Sequence, residues 1–323
     1  MPHDAKLLLL DRNKVCDALN PQEVLAAVRE AFILHGQRAG RVFPLIREKL
    51  HTGGVFGIKA GDVSSQNLLG FKAAGFWPDN RLVGSEPHQA TVLLIDPETG
   101  RPLCMMDGNA ITTERTGAAG GLGLQVLARE NSERLCVFGT GVQARVQVRY
   151  ALRVLPRLRS VQYISVDGKQ DAAFEAVFQK TFDVRAAPDR NEAVAGSDVV
   201  ITATPGGGPL FEADAVRPGT HINCVGSDTA GKRELPAGVL ERARVFVDDQ
   251  EQARSIGECQ WASKLPCTEL GDLLTANVPF RRTRDEVTVF DMTGIALQDL
   301  TVARSLYEYA VSKGLGTLLA WPW

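Results

Sequence analysis

The sequence has no apolar run long enough to cross a membrane. Its most hydrophobic early block is four leucines, Leu7–Leu10, between charged residues, far short of the roughly 18 residues a spanning helix needs. It is also too short for a secretory leader, so a reducing cytoplasm is the expected location. Charge of one sign is missing too. The 36 basic and 38 acidic side chains leave a net charge of −2, which removes the electrostatic footprint of a nucleic-acid or anionic-membrane partner. The six cysteines, Cys16, Cys104, Cys136, Cys224, Cys259 and Cys267, form no C-x-x-C pair and none sits near a histidine at zinc spacing. Neither a disulfide framework nor a metal site is expected, and most of these thiols read as small buried apolar groups. No internal repeat or low-complexity linker is present.

What remains is an ordinary globular composition, 44% hydrophobic and 23% charged over 323 residues. It is too apolar for disorder and long enough for about two domains. Asn20-Pro21 caps a first helix that ends at Gly36. From Val42 to Asp96, short apolar runs broken by turn residues read as strands, and Pro97–Gly100 as a turn into another strand, RPLCMMDG. The segment ITTERTGAAGGLGLQVLA is helix-compatible. Its glycines 117, 120, 121 and 123 weaken it unless they allow close packing. After Arg134, continuous β-branched runs (135–139, 161–166, 183–187, 198–204, 220–226, 244–249, 287–293) alternate with helical stretches, the pattern of a parallel sheet buried on both faces. A last helix follows over LQDLTVARSLYEYAVSK. The expected fold is α/β: a Rossmann doubly wound parallel sheet (120–302) inserted into an α+β domain (1–119 with 303–323).

In LCVFGTGVQA, Gly139, Gly141 and Ala144 make a G-x-G-x-x-A pattern. With 31 glycines, roughly three G-x-G spacings arise by chance, so spacing alone carries little. Only this copy lies at a strand-to-helix turn, where the first glycine allows the turn, the second lets backbone approach a pyrophosphate and the helix start attracts the anion. That context favours dinucleotide binding over a bare turn. The next strand runs out at Ser165 and Asp167, where a carboxylate would accept from the ribose hydroxyls of NAD. With Lys169 but no arginine nearby, NAD is expected and NADP stays open; Asp167 as a plain turn residue is the competing reading. Gly226-Ser227-Asp228 follows another strand, placing an acid where the nicotinamide end would lie, unless Asp228 merely caps a turn. The first domain sets Arg47, Lys59, Lys72 and Arg115 in apolar or glycine-rich text, which suggests a carboxylate pocket rather than a solvated face. His88, without a second ligand near it, reads as an orienting hydrogen-bond group.

Together these segments resemble the ornithine cyclodeaminase/mu-crystallin family. HQATVLLID (88–96), MDGNAITTERTGAAG (106–120), FGTGVQA (138–144), GSDVVITATP (196–205), PGTHINCVGSDTAGKREL (218–235), RVFVDDQEQA (244–253) and VTVFDMTGIALQDLTVA (287–303) carry the resemblance along nearly the whole chain. It implies a homodimer in which the first domain binds substrate and dimerises. Arg47, Lys72 and Arg115 match the cluster that holds the substrate α-carboxylate, and Asp228 matches the acid/base, with Lys72 beside it as a catalytic candidate. Thr140, Gly141, Val142 and Gln143 match pyrophosphate contacts. Arg115 and Thr116 match positions near the cofactor, as do Thr204, Val225, Gly226, Lys232 and Met292; Thr293 matches one that also faces the substrate.

Members of that family reduce α-imino acids, deaminate amino acids oxidatively, or cyclise ornithine without net redox change. Where cyclodeaminases carry a glutamate able to meet a cationic side chain, this sequence has Gly57, with Lys59 added close by. That exchange disfavours a diamino acid and favours a dicarboxylate. The text around Arg47, Lys59 and Lys72 also resembles the iminosuccinate-reductase branch. The expectation is therefore an NAD-dependent imino acid reductase acting on a small anion, iminosuccinate first. Ornithine cyclodeamination, alanine dehydrogenation and cyclic ketimine (pyrroline-2-carboxylate) reduction are the enzymatic alternatives, and a crystallin-like ligand-binding protein is the non-enzymatic one.

Overall fold

The structure, a computed structural model, describes residues 5–179 and 182–321. The chain divides into two compact units, Met1–Arg115 with Ile295–Trp323, and Thr116–Gly294. Among the described residues no helix is long and apolar enough to cross a membrane.

The first unit contains β1 (Lys6–Leu10), α1 (Arg12–Ala18), α2 (Pro21–Gly36), β2 (Arg41–Val42), β3 (Ile46–Lys49), β4 (Val55–Val63), β5 (Leu68–Phe76), β6 (His88–Ile95), β7 (Pro102–Asp107) and the start of α3 (Gly108–Leu127). The second holds β8 (Arg134–Phe138), α4 (Val142–Val154), β9 (Ser160–Ile164), α5 (Ala172–Phe178), β10 (Asp183–Ala186), α6 (Arg190–Ala195), β11 (Val199–Thr202), β12 (His221–Cys224), β13 (Ala243–Val247), α7 (Gln250–Ile256), β14 (Cys267–Glu269), α8 (Leu270–Leu274) and β15 (Val287–Asp291). The chain then returns to the first unit with α9 (Ala296–Lys313) and β16 (Thr317–Ala320).

In the first unit an eight-stranded sheet runs β16-β1-β7-β6-β5-β4-β2, with β3 also on β4. Period-two alternation puts Val92, Cys104, Met106, Leu8 and Leu10 into the core, and α9 packs against β4, β5, β6 and α2. Two elements differ from the sequence expectation. The leucine run, to which the sequence reading assigned no element, is β1, paired between β7 and β16. A helix also precedes the one expected first: Asp11 caps α1 by accepting from the Lys14 amide at 3.0 Å, an N-cap the Asn20-Pro21 signal overshadowed. Trp321 is described after β16, whereas Pro322 and Trp323 of the terminal WPW lie outside the described residues.

The second unit's sheet has eight strands in the order β10-β9-β8-β11-β12-β15-β13-β14. All of its pairings are parallel. This is the expected α/β Rossmann arrangement, with connections leaving β8 toward β9 on one side while β11 follows on the other. The α3 glycines do allow close packing. A Cβ on Gly117 would sit 2.5 Å from Val146 and Tyr150, one on Gly120 1.9 Å from Gln147 of α4, and one on Gly123 2.4 Å from Phe290 of β15. Four of the six cysteines are buried, while Cys16 is exposed and Cys267 half-buried.

The amino-terminal edge of this sheet is tied by Arg282, whose guanidinium donates to the carbonyls of Leu127, Gly219 (2.7 Å) and Glu286 (3.0 Å) and to Thr288 Oγ1. Burial first, then Arg129, pulls its pKa down to about 10, so it stays charged in the physiological range. Truncation strands several half-buried carbonyls. Arg282→Ala should lower stability by about 2–3 kcal/mol, measured by urea unfolding; an unchanged midpoint would show that water replaces the guanidinium.

Candidate functional site

Each unit holds one cluster of candidate residues. In the first, antiparallel register places Arg47 opposite Gly57 and Lys59 opposite Lys72. Residues directly opposite, and residues two apart, share a sheet face, so Arg47, Lys59 and Lys72 share the face carrying buried Val92 and Met106. Gly57 makes this spacing possible: a Cβ there would lie 2.7 Å from the Ile46 carbonyl oxygen and 3.4 Å from Arg47 Cδ.

Two lysines opposite one another repel. The counter-charge comes from α9, a residue the sequence reading passed over. Asp299, 1% exposed, accepts on Oδ1 from both Lys72 Nζ (2.8 Å) and Arg115 Nε (3.1 Å), while Arg115 Nη1 donates to Gln298 Oε1 (3.1 Å). Its place in the first turn of α9 adds the favourable end of the helix dipole. Burial alone would raise the Asp299 pKa, but the charges of Lys72 and Arg115, with Lys59 behind them, hold it below the ordinary carboxylate value. Burial is also the main influence on Lys72 and pulls its pKa to about 7, helped by Arg115 and Lys59 and opposed by Asp299. Near neutrality Lys72 is therefore poised between its ammonium and amine forms. His88 pairs through Nδ1 with Asn109 Oδ1 at 3.0 Å near the start of α3.

In the second unit the candidate residues follow the carboxyl ends of five neighbouring parallel strands. After β8, Gly139 has φ +100° and a Cβ there would meet the Ala203 carbonyl at 2.6 Å, which restricts the position to glycine. Gly141 caps α4 without a side chain, and a Cβ on it would meet nothing within 4 Å. That open side lies at the amino end of a 13-residue helix, and Gln143 Oε1 is buried there with no hydrogen-bond partner. The chemistry fits a dinucleotide pyrophosphate. Thr140 is braced by Arg145, which donates to its carbonyl at 3.0 Å. After β9, Ser165 Oγ donates to Asp167 Oδ1 (3.0 Å) and to the Lys169 carbonyl (2.6 Å), and the Lys169 amide donates to the same Asp167 oxygen (3.1 Å). Those donors, the Lys169 amide first, hold the Asp167 pKa below its ordinary value.

After β11 and β12 lie Thr204, Val225 and Gly226, joined by a second residue the sequence reading passed over. Glu234 accepts from Thr202 Oγ1 (2.7 Å), Thr204 N (2.8 Å), Thr204 Oγ1 (2.7 Å) and Gly226 N (2.9 Å). Despite four donors, burial leaves its pKa raised. A Cβ at Gly226 would meet the Thr204 carbonyl at 2.2 Å. Asp228 Oδ1 pairs with Lys232 Nζ at 2.7 Å. After β15, Met292 is buried, and Thr293 Oγ1 donates to Asp248 Oδ1 at 2.8 Å. Thr116, next to Arg115 in α3, accepts from Gln147 Nε2 at 2.8 Å. A separate recess of about 640 Å³ opens at the opposite, amino-terminal edge and is lined by Arg242 and Arg244 with Asp285 and Glu286. None of the candidate residues reaches it.

A parallel sheet whose first strand leads through a glycine turn into an uncapped helix, with small and polar residues at the neighbouring strand ends, defines a dinucleotide-binding Rossmann protein. The chain belongs to the ornithine cyclodeaminase/mu-crystallin family, whose sequence profile matches residues 7–314. It is 33% identical to the iminosuccinate reductase of Paracoccus denitrificans, over 96% of this chain and 98% of that one. It is also 33% identical to the alanine dehydrogenase of Archaeoglobus fulgidus, over 96% and 97%. Among solved structures, an archaeal alanine dehydrogenase dimer with bound NAD superposes with a TM-score of 0.91 at 32% identity, over 98% of this chain and 99% of that one. The Paracoccus denitrificans iminosuccinate reductase in complex with NAD+ gives 0.89 at 32%, over 98% and 99%.

A pH dependence follows from Lys72. Its folded pKa of about 7 lies below the ordinary 10.5, so between those values the unfolded chain holds the extra proton, and this group's contribution to stability grows as pH rises. Anion binding runs the other way, since only the ammonium form attracts a carboxylate. The free enzyme's kcat/KM should decline as pH rises through about 7. Asp299→Asn removes the charge that keeps the proton on Lys72, and the declining limb should move to lower pH by about one unit or more. A limb that stays in place would assign it to another group.

Proposed function

We propose that the protein is an NADH-dependent reductase converting a small α-imino acid into the L-amino acid, with iminosuccinate, yielding aspartate, as its substrate. The observation that carries this reading is the convergence of Lys72, Arg115 and Lys59 on one buried carboxylate, Asp299, with Arg47 on the same sheet face. Three cations gathered around one buried carboxylate are the chemistry that recognises a small anionic substrate. A bidentate guanidinium and a protonated Lys72 would hold the α-carboxylate. Lys59, with no acid at position 57, would hold a second one.

When bound, the cofactor supplies a hydride from C4 of its nicotinamide. Gly139, Thr140, Gly141, Val142 and Gln143 would hold its pyrophosphate, Ser165 and Asp167 its adenosine ribose, and Thr204, Val225, Gly226, Lys232 and Met292 its nicotinamide half. The absence of an arginine around Ser165–Lys169 suits NAD, the cofactor named for both related structures. Asp228 would deliver the proton that the nitrogen needs, and Thr293 would orient the substrate. Lys72, titrating near neutrality, can trade a proton with the substrate or keep its charge for the carboxylate. Alanine dehydrogenation is the second reading, since the identity to that relative is the same.

The deciding assay follows NADH oxidation with oxaloacetate plus ammonia, pyruvate plus ammonia, and pyrroline-2-carboxylate, beside a redox-neutral conversion of ornithine to proline. Oxaloacetate plus ammonia should give the highest kcat/KM; proline formation with no imino acid reduced would overturn the reductase reading. Lys59→Met should raise KM for the dicarboxylate by about tenfold or more while changing that for pyruvate imine little. Equal losses would remove the reason for preferring iminosuccinate.

The partner we propose is a second copy of the chain. On the sheet face opposite α9, Phe71, Leu93, Met105 and Leu9 stand in register across four adjacent strands and remain partly exposed, Met105 by 41%. A continuous apolar row of this kind suits a two-fold contact, and one related structure is a dimer. Met105→Glu should convert a dimer into a folded monomer in light scattering after gel filtration. A wild-type chain that runs as a monomer would dismiss the dimer.

A further inference from the structure

The loop that carries Asp228 is held by a segment to which neither the sequence motifs nor the proposed chemistry gives a role. Asp228 and Lys232 form an ion pair four residues apart, with side chains 39% and 33% exposed. A pair this open contributes little on its own, so it does not explain how the loop keeps its shape. The carbonyl of Lys232 does. It accepts from Trp261 Nε1 at 2.8 Å, Gln260 Nε2 at 3.2 Å and Ser227 Oγ at 3.2 Å, three donors on an atom with two lone pairs. One residue back, the Gly231 amide donates to Gln260 Oε1 at 2.7 Å, so a single glutamine amide uses both ends to grip the loop.

Two further contacts complete the bracket. The Arg233 guanidinium lies 5.2 Å from the Trp261 ring centre, and Gln260 Nε2 also donates to the Gly257 carbonyl at 2.7 Å. The segment that bears these side chains, Glu258–Ala262, is itself fixed to the sheet. The Cys259 amide donates to Asp291 at the end of β15 (2.9 Å), and Glu258 accepts from the amides of Glu234 (2.6 Å) and Leu235 (3.3 Å). The chain of contacts runs from the strand ends through Glu258 and Cys259 to Gln260 and Trp261, and from there to the Asp228–Lys232 loop. All of it lies within the second unit.

We propose that Gln260 and Trp261 are positioning residues for proton delivery: through the carbonyl of Lys232 and the amide of Gly231 they fix the loop so that the Lys232 ammonium stays on Asp228. This role rests on the reading of Asp228 as the proton donor. It explains why a half-exposed tryptophan, 47% accessible, spends its only polar atom on a backbone carbonyl. Without the bracket the middle of the loop loses its ties to Gln260 and Trp261, while its ends stay held at Gly226 and Arg233. Asp228 then samples arrangements away from Lys232, and its carboxyl protonates at higher pH.

Trp261→Phe keeps the ring and removes the indole donor; Gln260→Leu removes both amide contacts. In the full-length protein, hydrogen exchange over residues 226–235 should accelerate by about tenfold or more in the double variant. With the imino acid that the wild type reduces, kcat should fall about tenfold, the alkaline-side limb of the kcat profile, where the donor loses its proton, should move to higher pH, and KM and the NADH Kd should stay within about twofold. Thermal unfolding of both single variants checks that the fold is retained. A folded double variant with unchanged exchange and an unmoved limb overturns the proposal. Asp228→Asn, measured alongside, separates the two claims. Wild-type turnover in it sinks the proton-donor reading and the positioning role with it. Lost turnover in it, with bracket variants that behave as wild type, sinks the positioning role alone.

Discussion

Asp299 lies at the amino end of α9, buried, with one carboxylate oxygen shared between Lys72 and Arg115. The first unit depends on that contact. A lysine 3% exposed in the middle of a sheet, directly opposite another lysine, is tolerable only with an anion beside it. Removing one partner of such a buried pair costs on the order of 3–5 kcal/mol, because the other charge remains stranded. The same contact brings residue 299 of the returning helix to strands laid down before residue 80. It thereby explains why the chain comes back to its first unit after completing the second.

The second unit uses buried carboxylates differently. Glu234, Glu258 and Asp291 have no cation partner among the described residues; they accept backbone amides at the carboxyl ends of the strands. Burial raises all three pKa values, to about 8 for Glu258 and about 7 for Asp291. Each acts as a cross-link that fixes where the next loop begins. Strand ends are where α/β proteins bind ligands, and loops there have few internal hydrogen bonds of their own. Carboxylates with several acceptor sites can define them at the cost of desolvation.

Scaffold and specificity separate along these lines. In the proposed reductase, the glycine turn after β8, the Glu234 hub and the Asp299 pair would serve any reaction that exchanges a hydride with an amino acid's α-carbon. Position 57 and Lys59 would differ in kind, setting the charge that a substrate side chain meets. Gly57 has a second constraint, because any side chain there collides with the Ile46 carbonyl in this arrangement of β3 and β4. A side chain at position 57 therefore requires a shift of β3.

Much of this was legible in the sequence, because it rests on local pattern. Continuous β-branched runs separated by helices announced the parallel sheet. Gly139 and Gly141 announced the turn, and at Gly139 the positive φ and the close Ala203 carbonyl require glycine. The cations at 47, 59, 72 and 115 stood out because charge is rare in apolar strand text. Asp299, Glu234, Gln260 and Trp261 did not stand out. An aspartate or glutamate within a helix or loop looks the same in sequence whether it faces water or two buried cations, and its partners here lie up to 227 residues away. The three-residue β14 and the edge strand β16 were missed for a related reason: segments so short are strands only because neighbours supply their hydrogen bonds. By itself the sequence determined the longer strands and helices and the glycine turn after β8, since those follow from periodicity and backbone sterics. Which charges balance one another, and which side chains hold the Asp228–Lys232 loop, only the tertiary structure decided, because pairing energy depends on burial and distance in space.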